Sequence, residues 1–305
     1  MRSAASQGFL LAFIGALFWG VSGTAMQFLF ERGVSAEWMV TVRMLISGVL
    51  LLLVFGARRP RAVMAIWTDK DNLRRLFLFA LLGMLSVQYT YFAAIRESNA
   101  ATATVLQYTG PVMIAGWYAL RERRWPGFYE ALSIVLAIGG TVLLVTGGHP
   151  EDLAISPLAL FWGLASAVAF AVYSIQPIHL MRHYPAPIVL GWAMLIGGVA
   201  FSFIHAPWDV RGTWDMASVG AATFAIIGGT LIAFLVYMQA TKLIGARRAS
   251  LMACAEPLSA VLIAVVFLHV SFGIAEAIGT ACIVATILLL TLKREPATVA
   301  AEPAE

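Results

Sequence analysis

The feature that most constrains the fold of this sequence is an internal duplication. When the sequence is compared with itself at an offset of 146 residues, so that Gly83 meets Gly229, its third to fifth hydrophobic segments align with its eighth to tenth without a gap. The aligned identities also include tyrosine, proline and glutamate pairs, namely Tyr91 with Tyr237, Pro111 with Pro257, and Glu130 with Glu276. The duplication predicts two halves of equivalent structure.

The hydrophobic segments are long enough to cross a membrane. The chain is 61% hydrophobic and 12% charged, whereas a soluble domain carries about 25% charged residues. A bilayer core needs roughly 20 apolar residues per helix, while transmembrane strands would be about ten residues long. The pattern therefore predicts an all-α membrane protein of ten transmembrane helices. We number these segments 1 to 10: residues 8–30, 37–56, 76–95, 98–120, 127–147, 157–178, 187–205, 217–240, 247–268 and 271–292.

Each half holds five segments, and this odd number inserts the second half upside down relative to the first. Inverted five-helix repeats are typical of secondary transporters, whose substrate site lies between the repeats. We expect a first repeat over residues 8–147 and a second over 155–292. Residues 293–305 are rich in Ala, Glu and Pro, and we expect them to form a disordered cytoplasmic tail.

The distribution of basic residues predicts the orientation. If the N-terminus is cytoplasmic and the segments alternate, the outer side holds only Arg32, Arg96 and Arg211, and Arg43 lies within segment 2. The other Lys and Arg residues all fall on the cytoplasmic side, as the positive-inside rule requires. Both termini are therefore predicted to be cytoplasmic. The net charge of +4 is explained by topology and by the lipid bilayer, and it does not indicate a nucleic-acid partner.

Several short motifs, in their order along the chain, resemble a known family. They are Phe18-Trp19-Gly20 in segment 1, Arg43 in segment 2, Leu120-Arg121-Glu122 closing segment 4, and Glu256-Pro257 in segment 9. With the duplication, they resemble the EamA-domain branch of the drug/metabolite transporter superfamily, in the bacterial inner membrane. The resemblance implies export or exchange of small metabolites, often amino acids, by alternating access. It also implies a central cavity formed by segments 1, 3, 4, 6, 8 and 9.

Glu256 is the residue most indicative of function. It lies near the middle of segment 9, where an ionised carboxylate costs about 2.5–3.5 kcal/mol. It shares a helix face with the small residues Ala253 and Ser259, and Pro257 frees a backbone carbonyl one turn earlier. We expect Glu256 to bind substrate and to carry a coupling proton. The alternative is a carboxyl group that only fixes helix packing.

Other polar and aromatic residues complete a predicted substrate site. They lie on the faces of segments 1, 3, 4 and 6 that also carry small residues or other polar and aromatic groups, and they are Trp19, Ser22, Gln88, Gln107, Tyr108, Tyr173 and Gln176. Aromatic walls with a few polar groups suit small amphipathic molecules. The alternative is ordinary packing, and Tyr91 and Tyr237, near segment ends, fit the interfacial aromatic belt.

The remaining charges within the membrane have structural interpretations. The resemblance places segment 2 at the periphery, so we expect Arg43 to form an ion pair or to snorkel, with anion binding as the alternative. Glu130 and Glu276 lie near the start of segments 5 and 10, where the helix dipole stabilises a carboxylate.

The sequence carries no zinc-protease, nucleophile-elbow or phosphate-loop motif. We therefore expect no enzymatic activity, cofactor or metal. The predicted function is a secondary transporter for a small-molecule substrate, as a monomer or homodimer, with proton coupling through Glu256. Two alternatives stay open: an uncoupled importer or exchanger, and an intramembrane enzyme acting on a lipid-linked substrate.

Overall fold

The computed structural model describes residues 4–98, 100–123, 125–149, 151, 156–259 and 273–292, and within these ranges all regular structure is helical. Five helices are long and apolar enough to cross a membrane: Ala4–Glu31, Ala36–Gly56, Lys70–Glu97, Pro157–His183 and Met216–Ala253. Shorter apolar helices cover Phe128–Leu143, Ala186–Ser202 and Ala277–Leu289. The all-α membrane class is confirmed, and the count of ten crossings stays a prediction. The predicted tail and the end of segment 9 lie outside the described residues.

The first half follows the predicted segments closely. Its α-helices are Ala4–Glu31, Ala36–Gly56, Pro60–Ala65, Lys70–Leu78, Ser86–Glu97, Ala100–Gln107, Gly110–Glu122 and Phe128–Thr146, with a π-helical stretch at Phe79–Leu85. Local chemistry fixes several helix ends. The Ser35 hydroxyl caps the second helix by accepting from the Trp38 amide, and Gly147 ends Phe128–Thr146 in the left-handed conformation.

The second half repeats this order. Its α-helices are Pro157–Ile175, Pro177–His183, Ala186–Ser202, Met216–Ile226, Ala233–Ala253 and Ile274–Leu292, with a π-helical stretch at Ile227–Ile232. The side chains of Ser156 and Asp215 cap the helices that follow them. Gly245 has φ 79° and ψ 156°, a conformation open mainly to glycine, and it separates segments 8 and 9 without a loop.

The two π-helical stretches occupy equivalent positions in the duplication. Residues 79–85 align with 225–231, and the second stretch covers Ile227–Ile232. At both stretches a hydroxyl group donates to the carbonyl five residues earlier: Ser86, directly after the first stretch, to Leu81 at 2.8 Å, and Thr230, within the second, to Ala225 at 2.8 Å. The duplication therefore extends to a rare backbone geometry, of a kind found often at functional sites.

Segments 4 and 9 are not the continuous helices that their apolar lengths predict. Segment 4 is interrupted at residues 108–109 and segment 9 at 254–255, which are equivalent positions. At each break the hydrogen bonding tightens by one residue: the Thr109 amide donates to Leu106, and the Ala255 amide donates to Met252. The cause is a proline two residues later, which lacks an amide proton and clashes with the carbonyl four residues earlier.

Contacts between the halves follow a two-fold exchange. Segment 1 packs on segment 8, and segment 6 packs on segment 3. Because segments 1 and 6 are equivalent, as are segments 3 and 8, the duplication maps one of these pairs onto the other. Segment 2 packs on segment 7, and segment 5 on segment 10, and each of these pairs maps onto itself. Glycines allow the close approach. A Cβ added to Gly48 would lie 2.7 Å from the backbone nitrogen of Leu195.

Ion pairs at the ends of the helices show that the repeats are inverted. Arg32, at the end of segment 1, pairs with Asp215 at the start of segment 8. Glu37 follows Arg32 across a short turn and pairs with Arg96, at the end of segment 3, at 2.6 Å. Segment 3 therefore ends on the side where its equivalent, segment 8, begins. This confirms the inverted architecture, while the assignment of this side as the outer one stays a prediction.

Candidate functional site

A cavity lies between the two halves, at the level of the interrupted helices. Its volume is about 70 Å³. Segments 1 to 4 of the first half and segments 6, 8 and 9 of the second contribute to it. The lining residues are Trp19, Ser22, Gly23, Met26, Arg43, Val87, Gln88, Tyr91, Phe92, Gln107, Tyr108, Phe170, Tyr173, Phe234, Ala253 and Glu256.

The structure brings together seven of the eight predicted site residues. Trp19, Ser22, Gln88, Gln107, Tyr108, Tyr173 and Glu256 all line this cavity. Gln176 does not. It lies at the junction where Pro177 begins the next helix, and its side-chain amide donates to the carbonyl of Arg75 at 2.8 Å. Gln176 shares a helix face with Tyr173, three residues earlier, but the cavity ends before it reaches Gln176.

Tyr108 joins the two interrupted segments. Its hydroxyl oxygen lies 2.8 Å from the backbone carbonyl oxygen of Ala253 and 2.8 Å from Oε2 of Glu256. Ala253 is the residue whose carbonyl loses its helical partner because Pro257 has no amide proton. A side chain from segment 4 therefore satisfies the carbonyl that the proline of segment 9 frees.

These two contacts share a single proton. A phenol has one donor hydrogen, so Tyr108 cannot donate to Ala253 and Glu256 together. When Glu256 is ionised, the carboxylate competes with the Ala253 carbonyl for that hydrogen. When Glu256 is protonated, it can donate to the Tyr108 oxygen and leave the Tyr108 hydrogen with Ala253. The geometry therefore links the proton on Glu256 to the hydrogen bonding of the break in segment 9.

Arg43 lies in the cavity wall, and only 4% of its surface is exposed. Its Nε donates to the Thr230 hydroxyl at 2.6 Å, and its guanidinium lies 5.2 Å from the centre of the Phe92 ring. Among the described residues no carboxylate forms an ion pair with it. The expectation of an ion pair or of snorkelling is therefore wrong for the part of the chain that the structure describes.

Two cavity residues carry buried polar atoms without a protein partner among the described residues. They are Gln88, at both its amide nitrogen and its amide oxygen, and Trp19, at its indole nitrogen. Most buried polar groups in proteins are hydrogen-bonded, and each exception requires an explanation. Both exceptions line the same cavity as Arg43 and Glu256.

An aromatic cluster forms one wall of the cavity. Trp19 packs edge-on against Phe234 at 5.1 Å, and Tyr173 stacks on Tyr237 at 5.7 Å between ring centres. Tyr237 is fully buried, and its hydroxyl lies 2.9 Å from that of Ser174. The interfacial interpretation of Tyr237 is therefore wrong. It is also wrong for Tyr91, which lines the cavity and hydrogen-bonds the Thr104 hydroxyl at 2.9 Å.

A separate charged cluster joins the halves at the other end of segment 4. Arg247 pairs with Glu130 at 2.8 Å and with Glu122 at 3.3 Å. Glu130 lies in the first turn of Phe128–Thr146, as predicted, and it also takes part in this ion pair across the repeats. The Glu276 side chain lies outside the described residues.

Sequence reasoning missed some of the cavity wall. Arg43 had a usable signal, because a lone cation in an apolar segment needs an anion, and no carboxylate was placed to meet it. Phe92, Phe170 and Phe234 carried no such signal, because an aromatic side chain in a membrane helix faces lipid or protein equally well.

The chain matches the EamA-like transporter family twice, over residues 6–146 and 157–292. It is 36% identical over 287 residues to the uncharacterized inner membrane transporter YicL of Salmonella typhimurium, covering 94% of this chain and 95% of that protein. It is 24% identical to the uncharacterized transporter YwfM of Bacillus subtilis, covering 92% and 93%. A solved crystal structure of a protein 21% identical in sequence has the same fold, with a TM-score of 0.77 over 96% of this chain and 98% of the other.

Proposed function

Because this chain belongs to the EamA-like transporter family and is a membrane transporter rather than an enzyme, we propose that it exports a small metabolite, such as an amino acid, by alternating access. The observation that carries the proposal is the cavity itself. It lies between inverted repeats and beside two interrupted helices, which is where secondary transporters bind substrate.

The lining of the cavity supports an amphipathic substrate. The aromatic rings of Trp19, Tyr173 and Phe234 provide an apolar wall, and Gln88 and Gln107 provide amide groups. A few polar groups in an otherwise aromatic cavity orient a small molecule while its apolar part packs on the rings. An amino acid has this combination of an apolar side chain and a polar end.

The contact between Glu256 and Tyr108 supports proton coupling through Glu256. Ionised Glu256 can hold a cationic group of the substrate, and a proton arriving from the other side of the membrane would displace that group. Protonation also returns the Tyr108 hydrogen to the Ala253 carbonyl, so loading and unloading change the bonding at the break in segment 9. The other ionisable groups that line this cavity are Arg43, Tyr91 and Tyr173.

The coupling is tested in proteoliposomes that contain a mixture of the common amino acids and face a transmembrane pH gradient. The wild-type protein should release substrate faster when the outer solution is acidic. Glu256→Gln imitates the neutral carboxyl group, so it should lose this gradient dependence at least about ten-fold while still exchanging labelled substrate at equal pH.

Glu130→Gln is the matched control, because Glu122 still pairs with Arg247 when the Glu130 charge is removed. It should keep wild-type gradient dependence. If Glu256→Gln also keeps it, the proton is carried elsewhere. If the wild-type protein exchanges substrate without any response to pH, it is an uncoupled carrier.

The location of the protein completes the proposal. It is a multi-pass protein, and we place it in the bacterial inner membrane with both termini in the cytoplasm. The basic side, with Arg58, Arg59 and Arg61 in its longest loop, then faces the cytoplasm.

A further inference from the structure

We infer that Arg43 and Gln88 form an anion subsite in the cavity, so that the protein carries compounds with a free carboxylate. This inference rests on the proposed function, because it names the chemical class of the substrate. It takes up for Arg43 the alternative of anion binding, where the sequence favoured an ion pair or snorkelling.

The first argument is the unbalanced charge of Arg43. It is buried to 96% in the cavity wall, and a buried guanidinium without a counterion is strongly unfavourable. Glu256 lines the same cavity, but its carboxyl group contacts the Tyr108 hydroxyl and forms no ion pair with Arg43 among the described residues. A substrate carboxylate would therefore supply the counterion that the described residues do not.

The second argument is the way in which Arg43 is held. Its Nε donates to Thr230, which lies in the π-helical stretch Ile227–Ile232, and Thr230 in turn donates to the Ala225 carbonyl. The Phe92 ring lies beside the guanidinium plane. These contacts fix the head group yet occupy only one of its five N–H donors. The terminal nitrogens, which make no hydrogen bond to a described residue, stay available for the paired contacts that a carboxylate accepts.

The third argument is the surplus of donors around the cavity. Gln88 lies one helical turn before Phe92, the ring on which Arg43 rests, and both of its amide atoms are buried without a protein partner among the described residues. The Trp19 indole N–H is in the same condition. A carboxylate has two acceptor oxygens and no donor, so it can accept from the Gln88 amide nitrogen and the Trp19 indole N–H, but it cannot satisfy the Gln88 amide oxygen.

The charge of the site favours a carboxylate over a phosphate. Arg43 is the single basic side chain among the lining residues that the structure describes. A carboxylate carries one negative charge and is neutralised by it. A phosphate dianion would leave excess charge in a cavity that already contains Glu256.

The test uses proteoliposomes loaded with equal concentrations of the common amino acids, their primary amides and the corresponding decarboxylated amines. Released compounds are measured by mass spectrometry. The wild-type protein should release acids at least about ten-fold faster than the matching amides or amines. Arg43→Gln should lose this preference.

Gln88→Met covers the case in which Arg43→Gln fails to fold. Methionine has a similar length and removes two unpaired polar atoms, so this variant should fold at least as stably as the wild type. Its preference for acids over amides should fall several-fold. Gln27→Met, at an exposed position of segment 1, is the matched control and should keep the wild-type preference.

The outcomes separate the inference from the proposed function. Release of amides and amines at the rate of the acids would overturn the anion subsite while leaving a carrier. A preference for acids that survives in both Arg43→Gln and Gln88→Met would also overturn it. If no compound leaves the wild-type vesicles faster than protein-free vesicles, the carrier function fails and the subsite with it.

Discussion

The hydroxyl of Tyr108 should stabilise the fold chiefly because of Pro257. Tyr108→Phe removes the side-chain donor that, among the described residues, reaches the Ala253 carbonyl at 2.8 Å, and Ala253 is 1% exposed. Leaving a buried carbonyl unsatisfied costs about 1–3 kcal/mol. We therefore expect the free energy of unfolding to fall by about 2 kcal/mol.

A double-mutant cycle of Tyr108→Phe with Pro257→Ala tests the dependence of the Ala253 carbonyl on Tyr108. Pro257→Ala restores a backbone amide that can donate to Ala253 within the helix, so the carbonyl no longer depends on Tyr108. In that background Tyr108→Phe loses only the contact with Glu256, which both backgrounds share, so it should cost about 1–3 kcal/mol less than in the wild-type background, the cost of the unsatisfied carbonyl. The difference between the two costs is the coupling energy of the pair.

The assay is reversible unfolding of the purified protein in mixed micelles, followed by circular dichroism for the wild type, both single variants and the double variant. The circular dichroism spectra of the same four proteins before unfolding serve as the check on the native structure. Equal costs of Tyr108→Phe in both backgrounds would refute the assignment of Tyr108 as the partner of the freed carbonyl.

Three further predictions concern the ends of the helices. The Ser218 amide and Arg32 lower the pKa of Asp215 to about 2, below the ordinary value of about 3.9. The contribution of ionised Asp215 to stability is therefore complete above about pH 4, and it is lost as the pH falls toward 2. Asp215→Asn keeps the cap but cannot ionise, and its melting temperature should vary less over this range; an unchanged pH profile would contradict the assignment. Gln176→Met should transport normally, since Gln176 lies outside the cavity, and a loss of uptake or release beyond about three-fold would return it to the site. Reporter fusions should read extracytoplasmic at positions 35, 150 and 210 and cytoplasmic at 65 and 300, and a cytoplasmic reading at 150 would reject the orientation.

Much of the fold could be predicted because membrane insertion imposes strict rules. Apolar length locates the helices, and the offset that pairs Pro111 with Pro257 also pairs the interruptions at residues 108–109 and 254–255. The interruptions themselves could not be predicted from apolar length, since a proline in a membrane helix is compatible with a kink, a break or a continuous helix.

The candidate site was predictable for residues whose burial is costly. Glu256 and Gln88 stand out because a polar group at mid-membrane depth requires a partner or a cavity. Gln176 was misplaced because helical spacing gives the face of a residue but not the depth at which a cavity ends. The need of Arg43 for an anion could be inferred from the sequence, but its position in the cavity wall could not, because whether segment 2 reaches the cavity depends on the packing of the neighbouring helices.

The two-fold exchange of contacts has an energetic consequence. If the halves were identical, exchanging their conformations would convert a state open to one side of the membrane into a state open to the other. These two states would then have equal free energy. A resting preference for one side can therefore arise only where equivalent positions differ. In the breaks these positions are Tyr108 opposite Cys254 and Thr109 opposite Ala255, and directly after them Gly110 lies opposite Glu256. Tyr108 and Glu256, which line the cavity, therefore also make the two free energies unequal.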